Sequence, residues 1–354
     1  MASNKVGSQT LVFSSRPRLQ NWATVTGPRE GQGPLGSAFD MVNEDPLLAQ
    51  ISWEKAEQKL MQYSIELALS KQSWQTTDMD FFLAGDLLNQ IVSSNFTARE
   101  LGIPFLGVYG ACSTLAEGFA TAGILLDGGY ADKVGIAAVS HHNSAEKQLR
   151  FPTEMGTQRP MAAQWTVTGG GSYLIEKGDA APSVTSSWVI THATIGKVND
   201  LGIDNVNDMG SAMAPAAYDT IKAHFSDTGR GPEDFDYIIT GDLGQVGFDV
   251  LVEFLQEDGM TTEQFRDCGI LIYDSSQDAH SGGSGCGCSA VVLGPVFLDK
   301  KGSNYLDRTP QVKKSLQRIL FIGTGALLSP ITSFQGETIP GIAHAICFER
   351  GLEA

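Results

Sequence analysis

The sequence is short of positive charge. Its 354 residues carry 24 lysines and arginines against 40 aspartates and glutamates, a formal net charge of −16. Overall charge therefore excludes nucleic-acid binding as the main activity, and an anionic ligand needs a locally positive site. No apolar run approaches the ~18–20 residues that cross a bilayer. The opening MASNKVGSQT lacks the apolar segment of a secretory signal, so residence on the cytoplasmic side is the expectation. Cysteine is sparse and odd in number: Cys112, Cys268, Cys286, Cys288 and Cys347 show no framework spacing, which argues against a disulfide scaffold. Cys286 and Cys288 form a C-G-C too tight for the usual zinc pair, and no second pair follows. The six histidines are scattered, with only His141 and His142 adjacent. No metal site is assigned.

What is present suits a soluble α/β protein. Hydrophobic residues make up 42% and charged residues 18%, ordinary for a globular chain with room for a large core. Two stretches repeat: "DMDFFLAGDLLNQ" from Asp78 and "DFDYIITGDLGQV" from Asp234, about half the chain apart. Each places Asp-x-Asp before a short apolar run that ends in Gly-Asp-Leu, the pattern of a buried strand. Amphipathic helices precede both, one capped by Ser52 and one closed by Gly229. Strand and helix then alternate: "IPFLGVYG", a Cys112 helix and "DKVGIAAVS" in the first half; "CGILIYDSS", a Gly-rich helix entry and "QRILFIGTGA" in the second. This order predicts two copies of one α/β unit, over residues 5–180 and 185–354, with the seam in "KGDAAPSVTSS".

"GACSTLAEGFATAGILLDGG" sets Cys112 between a small-residue turn and a helix. A helix start lowers a thiol's pKa and also favours bound anions. Cys112 is thus a candidate nucleophile, a candidate pocket residue, or a packed thiol. Ser113 lies beside it. Ser140, His142 and Asn143 end the following strand and should reach the same mouth. Arg150 and Arg159 bracket "FPTEMGTQ" and offer fork-shaped contacts to carboxylates. His280 and Gly282 open the Gly-rich entry of the second half, where a second helix start should face the same cleft.

A duplicated unit with Cys at a strand-to-helix elbow and "HSGGSG" in the second half resembles the thiolase and ketoacyl synthase superfamily. The resemblance implies a duplicated five-layered α-β-α-β-α fold. It also gives Cys112 the place of the acyl-accepting nucleophile and His280 that of its activating base. Other groups of that superfamily are missing. "GDLGQVG" offers Asp242 and Gln245 but no His or Asn, and Phe321 stands where thiolases carry a second cysteine. Each lost oxyanion donor typically costs about 10²–10³ in rate, so condensation is not expected.

"GPLGSAFD", "FLAGDLLNQ", "RFPTEMGTQRP", "DMGSAMAPAAYDTIKAHF", "GGSGCGCSAVV" and "ETIPGIAHAICFER" further make the chain similar to a stage V sporulation family of endospore-forming bacteria. That resemblance implies a non-catalytic protein that binds dipicolinate (pyridine-2,6-dicarboxylate), with calcium entering only as the ligand's chelate and no cofactor of its own. It implies service in dipicolinate uptake into the developing spore, with membrane proteins of the same operon as partners and a place at the inner membrane. It also implies a homodimer, expected through the first-half edge strand around "VGIAAVSHH". Ligand contacts are then expected from Cys112, Ser113, Ser140, His142, Asn143, Arg150, His280 and Gly282. The competing reading is a residual acyl-transferring enzyme using Cys112 and His280; a scaffold without a pocket is the third.

Overall fold

The computed structural model describes residues 4–149, 159–178, 187–300, 302–306 and 316–350. In chain order the elements that build the frame are β1 (Arg18–Thr26), α1 (Trp53–Gln72), β2 (Phe81–Gly85), α2 (Val92–Leu101), β3 (Phe105–Gly107), α3 (Thr114–Asp127), β4 (Lys133–Ser140), α4 (His142–Leu149) and β5 (Gly169–Glu176). The second series is β6 (Trp188–Ile195), α5 (Met209–Thr228), β7 (Tyr237–Thr240), α6 (Gly244–Glu257), β8 (Phe265–Asp267), α7 (Cys268–Ile272), α8 (Cys286–Val292), β9 (Arg318–Ala326), α9 (Pro330–Phe334) and β10 (Gly341–Arg350).

The strands lie in the order β8-β7-β9-β10-β6-β1-β5-β4-β2-β3. β2 runs parallel to β3 and β4, and β4 runs antiparallel to β5. From the other edge, β7 runs parallel to β8 and β9, and β9 runs antiparallel to β10. Phe81–Gly85 and Tyr237–Thr240 therefore occupy corresponding places. The two five-strand groups meet at a single β6–β1 pairing, Val189 opposite Arg18.

Alternation along the strands explains the layers, because successive side chains leave a strand on opposite faces. Leu83, Ile136 and Ala138 face the central core with Leu115, Ala116 and Phe119 of α3 and Ala290 and Val291 of α8. Phe82, Ala84, Ala137 and Val139 face outward onto Leu60, Met61 and Ile65 of α1. In the second group Ile319 and Phe321 point to the centre, while Leu320 and Ile322 point to α5 and α6. The result is helix, sheet, helix, sheet, helix, the five-layered arrangement of the thiolase-like fold.

Three expectations change. "CGILIYDSS" is a short helix, α7, because the Asp267 carboxylate accepts the Ile270 N–H at 3.0 Å and caps it; the strand ends before it, at Asp267. The second helix start is Cys286, not Gly282, which sits in the preceding loop at φ +112°. "VGIAAVSHH" is no edge: β4 lies between β2 and β5, and the outer strand is β3. Among the described residues no helix is long and apolar enough to cross a membrane.

Candidate functional site

Where β2, β3 and β9 end, their following turns face one another around a cavity of about 390 Å³. Leu87 and Asn89 come from the turn after β2, and Tyr109, Ala111 and Cys112 from the turn after β3. Ala326, Leu327, Leu328, Ser329 and Pro330 follow β9; Ala145, Glu146 and Leu149 come from α4. Thr166 and Ser284, opposite each other in a two-residue parallel pair, and Met209 complete the wall. Ligand sites in open α/β sheets gather outside the carboxyl ends of strands for the same geometric reason.

The Cys112 elbow is tightly held. Ala111 adopts φ +52°, uncommon for a residue with a Cβ. Its carbonyl accepts from the Thr114 hydroxyl at 2.7 Å and the Cys286 thiol at 3.0 Å, while the Ser113 hydroxyl donates to the Gly110 carbonyl at 2.6 Å. These bonds tie the elbow to its own first turn and to the start of α8.

Across from the elbow stands Asp242, fully buried behind the cavity wall. Its carboxylate accepts from the Thr324 hydroxyl at 2.9 Å, the Ser284 hydroxyl at 3.1 Å and the Gly285 N–H at 2.9 Å. The Cys112 thiol also interacts with it. Burial still prevails over these donors and pushes the Asp242 carboxyl up to about 6. Burial first, then the Asp242 charge, drives the Cys112 thiol well above its ordinary value; the Gly285 N–H only partly opposes this. The thiolate is the reactive form of cysteine, and here both dominant influences disfavour it. The helix start that should have lowered this pKa is outweighed.

The other residues singled out from sequence are distributed as follows. Ser113 packs inside the elbow. Ser140 is fully buried; its hydroxyl donates to the Val167 carbonyl at 2.7 Å and accepts the Gly287 N–H at 3.1 Å, tying β4 to α8. The His142 ring stacks on Trp165 with centroids 3.6 Å apart, and the His142 backbone N–H donates to the Thr168 hydroxyl at 3.1 Å. The Asn143 N–H donates to Nδ1 of His141 at 3.2 Å. His280 donates from Nδ1 to the Pro160 carbonyl at 2.8 Å and sets Nε2 3.0 Å from Asp278; it is not among the residues lining the cavity. Arg159 donates to the Asp278 carbonyl at 2.5 Å and lies over Trp165 at 4.9 Å. Gly282 is held by close approach, since a Cβ there would stand 2.5 Å from the Gly269 carbonyl. Arg150 lies outside the described residues.

Of the expected contacts, the structure thus brings Cys112 to the cavity and leaves Ser113, Ser140, His142, Asn143, His280 and Gly282 off its lining. Among the described lining residues the charged side chain is Glu146. Sequence reasoning passed over Asn89, Glu146, Thr166, Ser284 and the turn after β9. The signal for Asn89 and the turn after β9 was their position one to five residues beyond a strand end.

One further group places His192, Cys347 and Glu349 ligand atoms within 4.8 Å of one another. Glu349 is already paired with Arg230 at 2.9 Å and Arg318 at 3.1 Å. Burial pushes the Cys347 thiol up to about 12, so two guanidiniums and a neutral thiol disfavour a cation there.

The family described as Stage V sporulation protein AD matches residues 7–349. Stage V sporulation protein AD of Bacillus subtilis (strain 168) is 46% identical over 346 residues, 97% of each chain. Among solved structures, cerulenin-bound OleA of Xanthomonas campestris is similar at TM-score 0.59 and 12% identity, over 95% of this chain and 100% of that one. The 3-oxoacyl-[acyl-carrier-protein] synthase III of Aquifex aeolicus VF5 is similar at TM-score 0.54 and 11% identity, over 94% and 99%. At these identities the two structures speak to the fold alone.

Proposed function

This chain belongs to the stage V sporulation protein AD family, and from that premise we propose that it is a non-catalytic carrier of dipicolinate, taken as its calcium chelate. It would serve dipicolinate uptake into the developing spore alongside membrane partners, bound at the inner membrane rather than through it. The observation that carries the non-catalytic half is the pairing of Cys112 with Asp242. A fully buried carboxylate beside the thiol makes a thiol donor, not a nucleophile.

The cavity supports the choice of chelate. Its volume of about 390 Å³ lies in the range of small-molecule sites, about 300–1,000 Å³. Leu87, Leu149, Leu327 and Pro330 offer an apolar slot; Asn89, Tyr109, Thr166 and Ser284 offer hydrogen bonds. A bare dianion would meet the Glu146 carboxylate and, behind the wall, Asp242. The calcium chelate is neutral, and calcium accepts carboxylate oxygens as ligands. Arg150, one residue beyond Leu149, is the cation retained from the sequence for the ligand's exposed carboxylate. The homodimer is kept in this reading but moved to β3, which pairs with β2 on one side and has no other partner among the described residues.

Titration calorimetry tests the reading, with preformed calcium dipicolinate, dipicolinate in excess EDTA, and calcium alone. The chelate should saturate the protein, and the free dianion should bind at least about tenfold more weakly, as like charges brought together cost several kcal/mol. Cys112→Phe should abolish binding and leave the thermal transition in place. Binding of neither form, or a stoichiometric acyl adduct on Cys112 after exposure to acyl-CoA, would overturn it; the adduct would restore the acyl-transfer alternative.

A further inference from the structure

The turn after β9 leads from the cavity to the most exposed apolar side chains in its neighbourhood. Ile331 and Phe334 of α9 are 70% and 82% exposed, and Val198 and Leu201 on the segment after β6 are 59% and 66% exposed. These segments are stitched together. The Leu327 N–H donates to the Pro340 carbonyl at 2.9 Å, Asn199 and Gly341 exchange bonds at 2.9 and 2.7 Å, and the Ile339 N–H donates to Ile203 at 2.7 Å. These bonds brace the segments that carry the exposed side chains into one frame. The exposed side chains adjoin the cavity, because its lining residues Leu327, Leu328, Ser329 and Pro330 run directly into Ile331.

Singly exposed apolar residues are ordinary; several on one contiguous surface mark an interaction site. The charges around this one identify its partner. Asp200, Asp204 and Glu337 are exposed on the same segments, and among the described residues of those segments Lys197 is the one cation. We propose that this surface docks a helix of a partner protein, apolar on one face and basic along its flanks, laid across the mouth of the cavity. An acidic rim repels an anionic lipid surface. It also opposes a second copy of this chain, since a two-fold contact would set acid against acid. An apolar centre with acidic flanks instead complements a basic amphipathic helix laid in a groove. The inference concerns the rim and holds whichever small molecule the cavity takes.

The test is fluorescence anisotropy of the full chain with a labelled leucine/lysine amphipathic peptide about 18 residues long, five turns of helix. An alanine/lysine peptide of equal charge is the control. Ile331→Ser with Phe334→Ser should weaken binding at least about tenfold, the loss of two buried apolar side chains. Asp204→Asn with Glu337→Gln should weaken it several-fold and flatten its salt dependence. Ile51→Ser with Tyr130→Ser, equally exposed residues elsewhere (88% and 73%), should leave it unchanged. Equal binding by all variants, or by both peptides, overturns the proposal. So does an Ile331/Phe334 effect seen only in sedimentation, which assigns the surface to a second copy. An effect seen only in flotation with phosphatidylglycerol vesicles overturns it too, and assigns the surface to a bilayer.

Discussion

Asp242→Asn should make Cys112 reactive. The substitution keeps the shape of the side chain and removes the charge that, after burial, does most to hold the thiol neutral. Two unit charges about 4 Å apart interact by about 4 kcal/mol at an effective dielectric of 20, an upper bound near three pKa units. Partial solvation and movement of neighbouring donors reduce this, so a fall of one to two units is the working figure. At pH 8 the thiolate fraction then rises about 10- to 100-fold. Nucleophilicity falls as the pKa falls, with a Brønsted slope of about 0.4–0.5, which trims the gain in alkylation rate to roughly 3- to 10-fold. The assay is iodoacetamide labelling between pH 7 and 10, read peptide by peptide, with Cys112→Ala as the blank. All five cysteines are buried, but Cys112 lines the cavity and is the one a small reagent reaches first. An unchanged rate profile would refute the reasoning, for it would mean that burial alone sets the thiol and that the carboxylate serves only to brace Ser284 and Thr324.

The remaining expectations concern stability. The Asp242 carboxyl starts from 3.8 and is pushed up to about 6 in the fold, so the native state holds a proton that the unfolded chain has released. Its contribution is fully present below pH 4 and is lost as pH rises through 6, by about 3 kcal/mol at ~1.4 kcal/mol per unit. The wild-type minus Asp242→Asn difference in unfolding free energy should therefore fall across pH 4–6 in urea titrations; a flat difference would discard that shift. Gly287→Ala should destabilise by about 2 kcal/mol or more, because its Cβ would stand 2.3 Å from the Gly169 carbonyl where α8 crosses β5. A loss under about 0.5 kcal/mol in the same titration would show that α8 can shift aside.

Much of the frame was legible because local chemistry and tertiary packing agree. Ser52 caps α1 by accepting the Lys55 N–H at 3.3 Å, and Gly229 ends α5 at φ +67°, each the role its residue type predicts. The short apolar runs after Asp78 and Asp234 became buried strands. "CGILI" misled because five apolar residues bounded by turns fit a strand and a buried helix equally well. The decision lies in the Asp267 cap, a contact that spans three residues and leaves no periodicity. At the site, strand ends were found but side-chain directions were not. His142 was assigned to the mouth, yet its ring stacks on Trp165, and the same helical stripe reaches the cavity one to two turns later, at Ala145, Glu146 and Leu149.

The two Gly-Asp-Leu turns show how one repeated motif yields one self-contained turn and one that braces the back of the cavity wall. In the first, Asp86 serves the chain that follows it: its carboxylate accepts the Leu88 N–H at 2.9 Å, and the Ser94 N–H and hydroxyl at 2.8 and 2.6 Å. In the second, that task has passed to a neighbour. Asp267, at the end of β8, accepts the Leu243 and Gly244 N–H groups at 2.8 and 3.1 Å and the Thr240 hydroxyl at 2.7 Å. Asp242 is thereby released from its own turn and crosses to Thr324 and to the adjacent Ser284 and Gly285, groups on two separate segments. A buried carboxylate left without donors would cost several kcal/mol, so this crossing requires Asp267 on one side and the Ser284–Gly285 loop on the other. The sequence repeats the Asp; its place in the fold depends on which donors it has been left free to take.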